Sequence, residues 1–238
     1  MNRELYGAII GALTLLSLLL PVQLFALVVA LLALAMGREL SQALGVKEFS
    51  PAAFFSPLLF AVHPALGGVY AGLMSLAYGY RTWSLEAFFH TFFILFYTGF
   101  FTSFLVLLRE EGVYMIVVFF LSVWANDVFA YYTGKKFGRT PFFLKLSPKK
   151  TLEGFAGGLV AGTLVFTLLS GLPPLKALII GILFLSVGVA GDYFKSFIKR
   201  QLGIKDFSSV LKGHGGFVDR FDAVVFSAPV FYWLLFRI

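Results

Sequence analysis

Long apolar runs separated by short polar breaks organise this chain. Leu5–Leu20 is the first run, stopped by Pro21, a residue poorly tolerated inside a helix. Val22–Met36 follows and extends through Gly37-Arg38-Glu39-Leu40 towards Leu44. Pro51–Val62 is short, and His63-Pro64 breaks it from Ala65–Tyr80. Phe88–Leu108 ends at Arg109-Glu110-Glu111-Gly112, and Val113–Tyr132 comes next. A polar segment, Lys135–Glu153, precedes Phe155–Leu169, after which Pro173-Pro174 marks a turn. Leu175–Ala190 runs into Gly191-Asp192, a polar island covers Ser196–Asp222, and Val224–Phe236 closes the pattern, starting near Phe221. A helix needs about 20 apolar residues to cross a bilayer core, so the pattern predicts about nine helices. The expected fold is all-α: a polytopic transmembrane bundle with a polar active-site cavity on the cytoplasmic side.

Composition sharpens this reading. Hydrophobic residues make up 59% of the 238, with 30 Phe, far above a soluble domain. A single integral membrane domain over 1–238 is expected, with N-terminal helices in 1–110 and the half that holds most of the charged residues in 111–238. No soluble domain or linker is visible. The first run lacks a small-x-small cleavage site and is read as a retained helix. Cysteine is absent, which excludes disulfides, thiolate nucleophiles and thiolate metal sites.

Charge sets an orientation. The chain carries 19 Lys/Arg against 12 Asp/Glu. Lys135, Lys136, Arg139, Lys145, Lys149 and Lys150 lie in one polar segment; Lys195, Lys199, Arg200, Lys205, Lys212 and Arg220 lie in or beside the island. Two helices separate these segments, so both fall on one face, together with Arg3, Arg38, Lys47 and Arg81. Only Arg109, Lys176 and Arg237 fall on the other. The positive-inside rule makes the first face cytoplasmic and the protein a multi-pass integral protein of the inner (cytoplasmic) membrane.

The candidate chemistry gathers on that face. Asp127 and Asp192 stand at span ends, where ionisable groups at membrane depth usually face a wet cavity; a charge at headgroup level is the bland alternative. Asp219 and Asp222, three apart at a helix start, share one face. With Asp192 they suit a hard cation such as Mg²⁺, which takes one or two carboxylates and shares substrate phosphates. Plain capping of the helix by acidic residues competes with that reading. Gly213-His214-Gly215-Gly216 immediately precedes, and its backbone N–H groups suit a phosphate, although the cluster is also compatible with a flexible turn. Ser147-Pro148-Lys149-Lys150-Thr151-Leu152-Glu153-Gly154 places two lysines beside a helix start that Ser147 or Thr151 caps, a good anion site. Attraction to anionic lipid is its alternative. His63 and His90 read as structural. Gly134-Lys135-Lys136 lacks the upstream glycine of a P-loop.

These residues carry a resemblance. The island is similar to the signature of phosphatidate cytidylyltransferases (CDP-diacylglycerol synthases): Ser196, Ile198, Lys199, Arg200, Lys205, Asp206, Ser208, Leu211, Gly213, His214, Gly215, Gly216, Phe217, Asp219, Arg220 and Asp222 all fit it. Lys212 departs, where the family usually has Pro or Gly. Trp124-x-x-Asp127-x-x-Ala130-Tyr131 and the Ser147–Gly154 stretch also resemble family motifs. The N-terminal helices agree in hydropathy only. The resemblance implies that CTP and phosphatidate give CDP-diacylglycerol and pyrophosphate. It implies a membrane-embedded homodimer that needs Mg²⁺, with K⁺ as a second ion and no nucleic-acid partner. By motif, Asp192, Asp219 and Asp222 hold the metal. Lys199, Arg200 and His214 join them in catalysis. Lys149, Lys150, Ser147, Thr151, Lys205, Asp206, Gly213, Gly215, Gly216, Arg220 and Asp127 bind substrate. The rivals are a CTP-dependent polyprenol or phytol kinase, a synthase acting on archaeal ether lipids, an ion or solute transporter using Asp127 and Asp192, and a membrane scaffold.

Overall fold

A computed structural model describes residues 3–211 and 215–237. The elements in chain order are α1 (Arg3–Ser17), α2 (Val22–Leu44), a 3₁₀ segment (Lys47–Phe54), α3 (Ser56–Val62), α4 (Pro64–Thr82), α5 (Leu85–Phe96), a π-turn (Tyr97–Phe101) and α6 (Thr102–Glu110). Then come α7 (Val113–Phe137), the strands β1 (Pro141–Phe143) and β2 (Ser147–Thr151), α8 (Leu152–Leu169), α9 (Pro174–Gln201) and α10 (Phe217–Phe236). With Leu85–Glu110 taken as one continuous span, the described residues form nine helices, as the apolar runs predict. Five are long and apolar enough to cross a membrane: Val22–Leu44, Leu85–Glu110, Val113–Phe137, Leu152–Leu169 and Pro174–Gln201. The chain is an all-α membrane bundle, apart from one hairpin.

The boundaries follow local chemistry. His63, extended ahead of Pro64, ends α3 and caps α4, its Nδ1 accepting from the Ala65 amide at 3.1 Å. Thr151 caps α8 as expected, its Oγ1 accepting from the Gly154 amide at 3.2 Å. The helix expected to stop at Ala190 instead continues to Gln201. At 1.5 Å per residue its 28 residues span about 42 Å, beyond the roughly 30 Å of a bilayer core. The polar stretch Asp192–Arg200 is therefore helix rather than loop. Likewise α10 starts at Phe217, ahead of the expected Phe221, so Asp219 and Asp222 both lie in its first turns. The hairpin was not expected. Its strands pair antiparallel, Pro141 with Thr151 and Phe143 with Ser147.

The chain divides into two compact units: residues 1–111 with 204–221, and residues 112–203 with 222–238. In the first, Arg109 Nε and Nη2 each donate at 2.8 Å to the carbonyls of Leu18 and Leu20, satisfying acceptors left open where α1 ends. In the same unit Phe96 and Phe100 stack at 4.9 Å, and Phe60 meets both edge-on at 5.9 and 5.8 Å.

In the second unit, one fully buried ring from each of four helices meets the others: Phe119, Phe166, Phe184 and Phe231. The closest centroids are 4.8 Å (Phe184–Phe231) and 4.9 Å (Phe119–Phe231). Lipid is as apolar as Phe, so helix association here depends on close packing rather than on exclusion of water. Glycines permit that packing between α7 and α8. A Cβ on Gly158 would lie 2.6 Å from the Asn126 carbonyl, and one on Gly162 2.8 Å from that of Ser122. Gly158→Ala must separate these two helices, an overpacking cost of about 1–3 kcal/mol. Its expected result is a thermal unfolding midpoint in detergent lower by about 5 °C; an unchanged midpoint would show that α7 and α8 do not need the contact.

Candidate functional site

The rings fix the height of the polar residues. Asp127 follows Phe119 by eight residues on α7, and Asp192 follows Phe184 by eight on α9, so each lies about 12 Å along its helix from the ring cluster. Asp222 lies nine residues before Phe231 on α10. Within the second unit this places carboxylates from several helices at one level.

They meet on a lysine. Lys195, one turn after Asp192, is only 7% exposed. Its Nζ lies 2.9 Å from Asp192 Oδ1 and 2.6 Å from Asp222 Oδ2. Asp222 is itself 5% exposed. Lys150 pairs with the other oxygen of Asp192. The hairpin brings Lys150 there: Phe142 and Phe143 pack against Tyr193 at 5.4 and 4.5 Å, and Lys150 lies over the same ring at 5.2 Å. Partial burial, and then the like charge of Lys195, push the Lys150 ammonium down to about 8, against the pull of Asp222 and Asp127. Asp127 is exposed, and the charges of Asp222, Lys150 and Lys195 act on it. Asn126 donates to it at 3.4 Å.

The neighbouring predicted residues surround this group. Lys199 is half-buried one turn beyond Lys195, and its charge reaches Lys150. Arg200 is exposed and donates from Nε to the Leu146 carbonyl at 3.3 Å, tying α9 to the hairpin. Lys149 is exposed on β2, Ser147 is half-buried opposite Phe143, and Thr151 caps α8. Glu153 anchors the start of the hairpin by accepting from the Arg139 and Thr140 amides at 3.1 and 3.2 Å.

The remaining predicted residues belong to the first unit. Lys205 and Asp206 are exposed, and Arg220 is exposed in the first turn of α10. Asp219 Oδ2 accepts from the Phe207 amide at 3.0 Å and the Gly216 amide at 3.1 Å. The second bond is the backward half of a capping box, a side chain at the third helical position closing the helix start. Gly215 has φ +76°, and a Cβ there would lie 2.7 Å from Asp219 Oδ2. Gly213 and His214 lie outside the described residues. Among the described residues no three carboxylates or histidines form a metal-holding group. Asp192 and Asp222 are brought together through Lys195, whereas Asp219 is engaged by backbone amides.

Two residues escaped the sequence reading. Lys195 passed as one more positive-inside charge, although its spacing of three from Asp192 was visible. Glu39, 4% exposed at the end of α2, accepts from the Phe217 and Val218 amides and from Ser208 Oγ. Its only signal was a carboxylate following an apolar run without a break.

The sequence profile of the cytidylyltransferase family matches residues 1–238. The phosphatidate cytidylyltransferase of Aquifex aeolicus is 50% identical over 243 residues, covering 99% of this chain and 91% of that protein. That of Bacillus subtilis is 41% identical over 133 residues, 54% of this chain and 49% of that protein. That of Thermotoga maritima is 37% identical over 156 residues, 61% of this chain and 57% of that protein.

Proposed function

This chain belongs to the cytidylyltransferase family, and we propose that it transfers CMP from CTP to phosphatidate, giving CDP-diacylglycerol and pyrophosphate. One observation carries the reading at the site: in a unit made mostly of apolar helices, Asp192, Asp222, Lys195 and Lys150 meet, with Lys195 and Asp222 buried. Such a cluster at membrane depth is costly without a function.

An oxygen of the phosphatidate phosphate attacks the α-phosphorus of CTP. A new P–O bond forms, the bond from the α-phosphorus to the bridging oxygen breaks, and pyrophosphate leaves. The attacking phosphate is already anionic, so no covalent enzyme intermediate is needed. The barrier is the meeting of two polyanions, which positioned cations lower. Lys199, Arg200, Lys205 and Arg220 are the proposed phosphate clamps, Arg being suited to paired contacts. Lys149 and Lys150 hold the headgroup or the triphosphate, and the backbone of 213–216 receives phosphate oxygens, with His214 as a donor.

Mg²⁺ is the proposed ion, on the chemistry of the carboxylate donors. Two carboxylates already converge on one cation, and hard oxygen donors in that number leave room for substrate phosphates. Asp192 and Asp222, with Asp219, are the proposed holders. When bound, the ion screens the triphosphate and stabilises the leaving group. The distribution of basic residues supports a cytoplasmic site, and the family resemblance supports a homodimer.

The experiment is a label transfer. Purified protein receives phosphatidate and CTP labelled at either the α- or the γ-phosphate. The α label is expected in the lipid phase and the γ label in pyrophosphate, and EDTA stops both. A γ label in lipid would identify a kinase instead. No label in lipid with Mg²⁺ present would leave the transporter reading in place.

A further inference from the structure

The first turn of α10 carries Asp219, and Asp222 follows on the next turn, so the placement of this helix start decides where two of the proposed site carboxylates stand. A helix start leaves amide donors open. Here they are not left to solvent. Glu39, from the distant end of α2, accepts from Phe217 N at 2.9 Å through Oε1 and from Val218 N at 2.9 Å through Oε2. Its Oε1 also accepts from Ser208 Oγ at 2.7 Å. One carboxylate thus grips both ends of the segment 208–217, which contains the Gly-His-Gly-Gly. Gly216 lies so close that a Cβ there would collide with the Glu39 carboxylate. Leu211 N donates to Gly215 O at 3.1 Å.

A buried carboxylate that only filled space would be replaced by an apolar residue at little cost. Three directed bonds, two of them to successive amides of one helix start, fix a position instead. The negative charge also lies at the positive end of the α10 dipole.

We propose that Glu39 is a positioning residue for the transferase site: it sets the start of α10 and, through it, the register of Asp219 and Asp222. The inference rests on the activity proposed above. Glutamine is the incisive substitution. It keeps the shape but offers one carbonyl oxygen where two carboxylate oxygens serve three donors, and it presents an NH₂ to an N–H.

The test uses the full chain in detergent, with Ser56→Ala as a stability control. Ser56 is buried in the same unit and donates to the Leu95 carbonyl, not to α10. For Glu39→Gln, kcat is expected to fall about tenfold or more, with the KM for CTP within about threefold of the parent. Deuterium uptake in peptides covering 215–222 is expected to rise. Ser208→Ala, which removes one of the three bonds, is expected to lower kcat two- to fivefold. Ser56→Ala is expected to keep the parental kcat per folded molecule.

A parental kcat in Glu39→Gln would overturn the proposal, as would a loss that only follows the folded fraction in the manner of Ser56→Ala. If Glu39→Gln does not fold, a parental kcat in Ser208→Ala overturns it. The deuterium readout needs no turnover. Unchanged uptake at 215–222 defeats the positioning role even where the parent is active, and a parent without activity defeats the proposed function first.

Discussion

Replacing Lys195 with methionine is expected to lower CTP-dependent turnover at least about 100-fold and to destabilise the protein as well. The side chain is buried and its ammonium lies within 3 Å of both Asp192 and Asp222. Methionine fills a similar volume without the charge, so the change isolates electrostatics. Two carboxylates roughly 5 Å apart repel by about 3 kcal/mol at an effective dielectric near 20. Removing one member of a buried ionic group typically costs about 3–5 kcal/mol. For a chain of this size that is a fall in unfolding midpoint on the order of 10 °C. Lys195→Arg keeps the charge and should recover most of the midpoint, while its larger fork displaces the carboxylates and leaves turnover low. Differential scanning fluorimetry and the label-transfer assay read the two effects separately. A methionine variant with the parental midpoint would mean that Lys195 does not hold the carboxylates together.

The second large effect is expected from Asp219→Asn, and it separates two roles of one side chain. Asp219 Oδ2 accepts from the Phe207 and Gly216 amides. Asparagine keeps a carbonyl oxygen for those donors and caps helices about as well as aspartate, so the midpoint should move by only a few degrees. The negative charge, however, is gone. If Asp219 also serves the phosphates and their counter-ion, turnover falls at least about 100-fold while the fold survives. Turnover within threefold of the parent would leave Asp219 as a cap and remove it from the site.

The helices were legible because each is an apolar run bounded by Pro, Gly or charge, five of them long enough to cross a membrane. The ends were less so. Beyond Ala190 apolarity stops but helix propensity does not, and α9 continues through Asp192 and Lys195 because those side chains find one another on its face. The hairpin at Pro141–Thr151 was hidden because its lysines read as positive-inside charge, and its aromatic anchor, Tyr193, lies on another helix. Of the site, the motif residues were visible by pattern and the carboxylates by their depth. Glu39 was not, because its meaning lies in amides 178 and 179 positions away. A local reading sees a charge at a helix end; only the fold supplies what it grips.

The four rings Phe119, Phe166, Phe184 and Phe231 also bear on how the protein is made. Synthesis delivers three of them well before the fourth, and Asp222 arrives on the same helix as that fourth ring. Until α10 is in place, α7, α8 and α9 lack the ring that joins them, and Lys195 has Asp192 without Asp222. The apolar lock and the charged site therefore close in one late event. A nascent chain that already carries α7, α8 and α9 has neither the fourth ring nor the second carboxylate, and one insertion step supplies both.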